Sequence, residues 1–473
     1  MIVLFHAYNR GFSAIEVAVM FSLYELAGVV TNLLAGVAGA RWGIRSTLIT
    51  GLGLQVFSYG LLFAWSDGWS KAGAIAYVTV ASMFGGIAKD LTKLGGKTVT
   101  KLVTKDGQDT RLFKMVSLLT GMKNSLKGVG YFAGAALLDV NYYLALSAML
   151  GLVVLAIPFA VLGLSDGLGT AKKSNATLRQ ALSLSNPNLN WLSLARLFLF
   201  ASRDFWFEVP LPFYLRSPSC ASLGPAFPCA ADPDCAGGAF CGASGSCENL
   251  NVGGGCGGPG LSRLLVGTFL ALYIIVYGQV QSWTPQLVTS PLGQTPPNKR
   301  TEIMWGLVNC APTLVLAVAL SKAPAFLDED QPSMLAWLIA GIAVFAVIFA
   351  INSSIHSFLV VKYSPRDKVA VSVGFYYMSN AMGRLMGTMG SGLLYTYVGD
   401  YVGAYAGSDA TAGLAACMIA GTVSSLLAAL ITVKIDDEEG GLRCGRIVCY
   451  KEEGEEEFAE RGGAAAVVDD SQL

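Results

Sequence analysis

Leu33-Leu-Ala-Gly-Val-Ala-Gly-Ala-Arg-Trp-Gly-Ile-Arg-Ser-Thr-Leu-Ile49 decides how the rest of the chain is read. Apolar residues run into this stretch and out of it, with glycines and two arginines between. About 20 apolar residues cross a bilayer as a helix, so the stretch is a tight basic turn between two spans. Further apolar runs lie on both sides of it. They occupy 15–38, 47–66, 72–92, 115–138, 143–164, 189–215, 261–281, 302–321, 334–361, 369–398 and 411–433. The chain thus reads as an all-α membrane protein. Its 473 residues are 53% hydrophobic and only 14% charged, whereas a soluble domain carries about 25% charged residues. That balance excludes a soluble enzyme and the disordered and fibrous classes. Two histidines leave little material for a histidine-based metal site.

Orientation follows from lysine and arginine in the loops. With the turn at Arg41–Ser46 placed inside, the inside loops hold 16 basic residues and the outside loops 5. This alternation needs one more crossing ahead of the first run. Met1–Ala7 is apolar but too short to span, and lacks the basic start and cleavage site of a signal peptide. It reads as the outer half of a first helix whose beginning is missing, which gives two six-helix bundles with both ends inside.

The domain reading follows. Residues 1–164 form the N-terminal transmembrane bundle with its first helix truncated, and 165–188 a polar cytoplasmic linker. Residues 189–433 form the C-terminal bundle, and 434–473 an acidic cytoplasmic tail. The tail holds 12 acidic and 5 basic residues, leaving a basic body, and reads as a disordered, solvated end. Within the second bundle, 217–260 is a coreless extracytoplasmic insertion with Cys220, Cys229, Cys235, Cys241, Cys247 and Cys256. A cysteine-dense module outside the cytoplasm is stapled by disulfides, and six cysteines allow fifteen pairings. Zinc is disfavoured, because no histidine or paired Cys-x-x-Cys spacing accompanies the thiols. Cys444 and Cys449 in the tail read as free thiols.

Ionisable groups inside spans are costly and point to function. Lys123 and Lys127, four apart in the run at 115–138, face one side, with Asn124 beside them. Arg196 and Arg203, seven apart, share a face, and Asp204 and Glu208 lie four apart on an adjoining one. Asn380 and Arg384 share a face of a glycine-rich helix. Glu25, Lys89 and Asp90, with Asp204 and Glu208, are candidates for proton coupling or charge pairing. His356 reads as a packed, satisfied histidine. The deep cations Lys123, Lys127, Arg196, Arg203 and Arg384 outnumber the deep acids Glu25, Asp90, Asp204 and Glu208. An inward surplus of cations implies an anionic cargo, with phosphate, carboxylate and sugar-phosphate all admissible. No nucleophile–base pair or metal cluster suggests an enzyme.

Two bundles about a midplane site is the plan of the major facilitator superfamily. The turn Gly36-Val-Ala-Gly-Ala-Arg-Trp-Gly-Ile-Arg45 resembles the signature between that superfamily's second and third helices. The resemblance assigns Gly36, Arg41, Gly43 and Arg45 to the cytoplasmic gate. Ala40 stands where the signature has aspartate. Five strings narrow the likeness: Tyr24-Glu-Leu-Ala-Gly-Val-Val-Thr-Asn32, Gly86-Ile-Ala-Lys-Asp-Leu91, Leu119-Thr-Gly-Met-Lys-Asn-Ser-Leu-Lys-Gly-Val-Gly130, Ala195-Arg-Leu-Phe-Leu-Phe-Ala-Ser-Arg-Asp-Phe-Trp206 and Gly374-Phe-Tyr-Tyr-Met-Ser-Asn-Ala-Met-Gly-Arg384. They resemble the organoarsenical efflux permeases of the superfamily. The likeness runs from Met1 to about Val433 and is interrupted by the cysteine-rich insertion, which, like the acidic tail, departs from the family pattern.

The resemblance implies export of 1-arseno-3-phosphoglycerate, a functional link to the glyceraldehyde-3-phosphate dehydrogenase that makes it, no cofactor and no nucleic acid. The expected state is a monomer in the bilayer, in the plasma membrane or an endomembrane. Two other readings are a carrier of a different organophosphate or carboxylate and a non-transporting membrane sensor.

Overall fold

The computed structural model describes residues 2–66, 68–93, 104, 107–163, 186–217, 239–241, 247–249, 257–322, 331–365, 369–399, 409–437, 441–445 and 447–450. Its first half holds α1 (Ile2–Asn9), α2 (Ala14–Trp42), α3 (Ile44–Phe63), α4 (Lys71–Lys93), α5 (Asp109–Val140) and α6 (Tyr142–Gly163). The second half begins with α7 (Pro187–Asp204) and α8 (Pro210–Arg216), followed by the hairpin β1 (Ala239–Cys241) and β2 (Cys247–Asn249). Then come α9 (Arg263–Thr284), α10 (Lys299–Val308), α11 (Cys310–Ser321), α12 (Gln331–Lys362), α13 (Val369–Leu393) and α14 (Asp409–Thr432). A second hairpin, β3 (Leu442–Cys444) and β4 (Ile447–Tyr450), ends the described chain.

Each apolar run falls on a helix or a helix pair. Among the described residues eight spans are long and apolar enough to cross a membrane, and α5, α7 and α13 are not among them. Those three carry Lys123, Lys127, Arg196, Arg203 and Arg384. The architecture is that of a multi-pass membrane protein. Leu152, Leu155, Phe159 and Leu162 of α6 are exposed, as side chains facing lipid tails would be.

Local chemistry sets the helix ends. Gly43, at φ 84°, takes the left-handed conformation that separates α2 from α3. Asn186 caps α7 by accepting from the Leu189 N–H at 3.2 Å, and Asn298 caps α10 by accepting from the Thr301 N–H at 3.0 Å. Two runs expected to be continuous are broken. The run at 189–215 stops at Asp204 and resumes at Pro210, because Pro210 lacks an N–H to continue the ladder. The run at 302–321 divides at Asn309 into α10 and α11.

The most extensive contacts between the halves are those of α5 with α9 and of α2 with α13. Glycine permits both close approaches. A Cβ on Gly128 would stand 2.8 Å from the Ala271 carbonyl of α9, and one on Gly392 would stand 2.7 Å from the Ala18 side chain of α2.

Two apolar layers hold the halves together at opposite ends. At the end carrying Gly43, Lys93 and Lys362, here the basic end, Phe113 packs on Phe358 at 5.2 Å between ring centres. At the other end Tyr8 packs on Phe213 at 5.1 Å. Arg216 lies over the Tyr8 ring at 4.9 Å.

The tail corrects two expectations. Its first part is not a free solvated end. Asp437 accepts from Tyr363 Oη at 2.7 Å and pairs with Lys362 at 3.2 Å. Gln294 donates to the Arg443 carbonyl at 2.7 Å, and the Gly445 N–H donates to the Leu292 carbonyl at 3.0 Å. Cys444 and Cys449 are not free thiols; they are bonded to each other across the hairpin. Residues 451–473 lie outside the described residues, as do 165–185 of the expected linker.

The insertion has a closed base. The Gly260 N–H donates to the Ser217 carbonyl, and the Leu261 N–H to that of Leu215, both at 2.8 Å. Cys241 and Cys247 stand opposite each other in the β1–β2 register. Cys220, Cys229, Cys235 and Cys256 lie outside the described residues.

Candidate functional site

A cavity of about 650 Å³ lies between the two apolar layers. The seven residues expected to meet cargo, Lys123, Asn124, Lys127, Arg196, Arg203, Asn380 and Arg384, all line it. Glu25, Lys89 and Glu208 line it as well, while Asp90 and Asp204 are buried behind it.

The cations divide into two groups. In the first, each has an acid. Arg384 meets three: Glu25 at 2.8 Å, Glu208 at 2.8 Å and Asp204 at 3.3 Å. A Cβ on Gly387 would crowd Asp204 at 2.8 Å, so bare backbone lets α13 lie against α7 where Arg384 reaches these carboxylates. Arg203 grips Asp204 through Nε at 2.7 Å and through a second guanidinium nitrogen at 2.5 Å. Lys89 pairs with Glu25 at 3.9 Å and sits 4.0 Å from the Tyr24 ring centre. Asp90 pairs with Lys93 at 3.6 Å. Lys89 and Asp90, neighbours in sequence, therefore serve different partners.

In the second group, among the described residues, no acid lies within ion-pair distance of Lys123, Lys127 or Arg196. Lys127 stands 5.1 Å from the Tyr131 ring centre. Arg196 is held 3.9 Å from the Phe200 ring centre and 4.9 Å from that of Tyr376, and donates to Ser353 Oγ at 3.4 Å. These contacts orient the cations without neutralising them. Asn124 donates to Gln281 of α9 at 2.7 Å. Asn380 Oδ1 is buried with no hydrogen-bond partner among the described residues.

Seven cations and two acids line the cavity, and the two acids behind it raise the acids to four, a formal surplus of three positive charges. Desolvated charge is costly unless paired. Such an arrangement can hold an anion that accepts several charge-assisted hydrogen bonds.

Sequence reading placed Glu208 one turn beyond Asp204 on the same helix. The helix instead ends at Asp204, and the turn that follows brings Glu208 to Arg384. Lys93, one of the 16 basic residues counted to the inside loops, lines the cavity 3.8 Å from the Tyr377 ring centre. The signal was its spacing of four from Lys89.

In the gate motif, Arg45 donates to the Val161 carbonyl at 2.7 Å, and Gly43 forms the break between α2 and α3. Gly36 and Arg41 lie in α2. His356 is fully buried near Tyr376 and Glu302, and Glu302 passed unnoticed because it sits at the edge of an apolar run.

No family model and no curated protein matches the chain. Solved structures do. A bacterial homologue of the iron transporter ferroportin, in an outward-facing state, aligns with a TM-score of 0.56 at 16% identity, covering 89% of this chain and 90% of that one. The same homologue soaked with iron gives a TM-score of 0.53 at 14% identity, covering 90% and 94%. The human organic anion transporter MFSD10 gives 0.51 at 14% identity, covering 88% and 83%. At such identities the likeness speaks for the fold alone, an all-α membrane bundle of the kind these structures share.

Proposed function

We propose that this protein is a membrane transporter that exports an organic anion by alternating access, with 1-arseno-3-phosphoglycerate as its cargo. One observation carries the anion reading: Lys123, Lys127 and Arg196 line the central cavity without an acid in ion-pair reach among the described residues. The five motif strings favour the arseno-ester, whose phosphate, arsenate ester and hydroxyls match a cationic cavity with an open Asn380 acceptor. The likeness to the organic anion transporter MFSD10 agrees with this class of cargo. The ferroportin likeness raises iron as a cargo, and a surplus of positive charge at the cavity opposes a divalent cation. In this reading arsenate detoxification depends on glyceraldehyde-3-phosphate dehydrogenase as the source of cargo. The protein works as a monomer in the plasma membrane or an endomembrane, with its cysteine-rich insertion outside the cytoplasm.

The test uses everted vesicles carrying the protein, with arsenate, glyceraldehyde-3-phosphate, NAD and the dehydrogenase in the outer medium. Arsenic accumulates inside only when every component is present. Uptake of 3-phosphoglycerate without arsenic accumulation would make the protein a carrier of another organophosphate. No uptake of either anion by correctly inserted protein would overturn the arseno-ester reading and leave a carrier of another anion or the sensor.

A further inference from the structure

A second buried ionisable cluster lies outside the cavity, and nothing in the transport reading uses it. Glu302, in the first turn of α10, is 3% exposed, and His356 of α12 is fully buried. Glu302 Oε1 stands 4.0 Å from His356 Nε2. With the Asn352 amide oriented to donate, its nitrogen meets both Glu302 oxygens and its oxygen accepts from the Gly306 N–H. Tyr376 Oη lies 3.2 Å from His356 Nδ1. On the other side α14 brings Ala429 against Gly306 and Ser425 against Asn309, and neither is ionisable.

No lysine or arginine lies within ion-pair distance of Glu302 among the described residues. A bare carboxylate beside a neutral histidine and an amide would be an uncompensated charge inside a membrane span. The pair avoids that cost when the Glu302 carboxyl binds a proton, with the His356 ring beside it.

Two contacts lead from the pair to the cavity cation Arg196. It lies 4.9 Å from the ring centre of Tyr376, whose hydroxyl meets His356, and it donates to Ser353, the residue beside Asn352. Tyr277 donates to the same Ser353 hydroxyl at 3.2 Å. The other charged groups of α10, Lys299 and Arg300, open the same helix turn. We infer that Glu302 and His356 form a proton-binding site linked through Arg196 and Tyr376 to the anion in the cavity. An anion on Arg196 cancels the field that favours the Glu302 carboxylate, so the pair takes up a proton as the anion binds. By reciprocity, protonation of the pair tightens anion binding. The linkage half of this inference rests on the anion reading; the carboxyl proton does not.

Two measurements separate them. The first is the affinity of the purified protein for 3-phosphoglycerate at about pH 8 and about pH 5.5, a window in which histidine titrates. The ligand's own ionisation is common to all variants. Wild type should tighten toward low pH by about fivefold more than Glu302→Gln, an effect within the usual range of coupling. His356→Gln, which keeps a polar contact to Tyr376, should lose the same slope. Equal slopes in wild type and both variants would overturn the linkage. The second is the infrared carbonyl stretch of a protonated buried carboxyl, followed against pH without ligand. A titrating band present in wild type and absent from Glu302→Gln upholds the carboxyl proton even if 3-phosphoglycerate fails to bind. Absence of that band at every pH overturns it.

Discussion

Lys127 and Arg384 both line the cavity, yet their surroundings are opposite. Arg384 is closed in by Glu25, Asp204 and Glu208. Lys127 has an aromatic face and, among the described residues, no acid in reach. A cation with three carboxylates is already satisfied, and its worth lies in tying α2, α7 and α13 together. A cation without an acid is unsatisfied until something negative arrives. Positive charge in this cavity thus comes in two settings, as a cross-tie between helices and, in the proposed function, as a seat for an anion. Acidic partners, rather than depth or sequence position, tell them apart.

Removing the cross-tie should have the largest effect. Arg384→Met leaves Glu208 without an ion pair among the described residues and takes one of two partners from Glu25 and from Asp204, and breaking a buried ion pair from one side costs about 3–5 kcal/mol. The expected outcome is a sharply lower Tm of the purified protein, with transport lost as a consequence. A variant as stable as wild type would erase the distinction between the two groups. Lys127→Gln should do the reverse. Its Tm stays near wild type while the KM for anion uptake rises roughly tenfold to a hundredfold, the loss of one charge-assisted hydrogen bond of about 1.5–3 kcal/mol. Equal losses of stability in Lys127→Gln and Arg384→Met would show that the lysine is a cross-tie too.

The smallest effect sharpens the comparison. Glu25→Gln frees part of Arg384 and removes the partner of Lys89. Arg384 keeps two acids, so the fold should survive. The added positive surplus should lower the KM for the anion by about two- to fivefold, on the scale of a partly screened charge interaction. An unchanged or raised KM would place Glu25 in cargo binding itself.

The bundle was legible in the sequence because lipid demands long apolar helices. The cavity lining was legible for a related reason: an ionisable side chain in a span must face the interior, which brings Lys123, Arg203 and Arg384 to one place. The pairings were not legible. Glu25 and Arg384 meet only because α2 and α13 pack closely, and residue spacing within either helix says nothing of that register. The break after Asp204 had a signal in Pro210 that the surrounding apolar run concealed. The bond between Cys444 and Cys449 needs a hairpin turn at Gly445, whose φ of 71° suits glycine, and composition pointed instead to a solvated tail.

The base of the insertion bears on how such a protein can change over time. The chain departs at Ser217 and is back at Gly260 across one peptide hydrogen bond of 2.8 Å. The helices on either side are therefore held where a short turn would hold them. Closing a longer loop adds only about 0.6 kcal/mol for each doubling of its length. This joint works as a socket: the bundle and whatever the insertion carries can be altered by separate steps of descent, neither obliging the other to adjust.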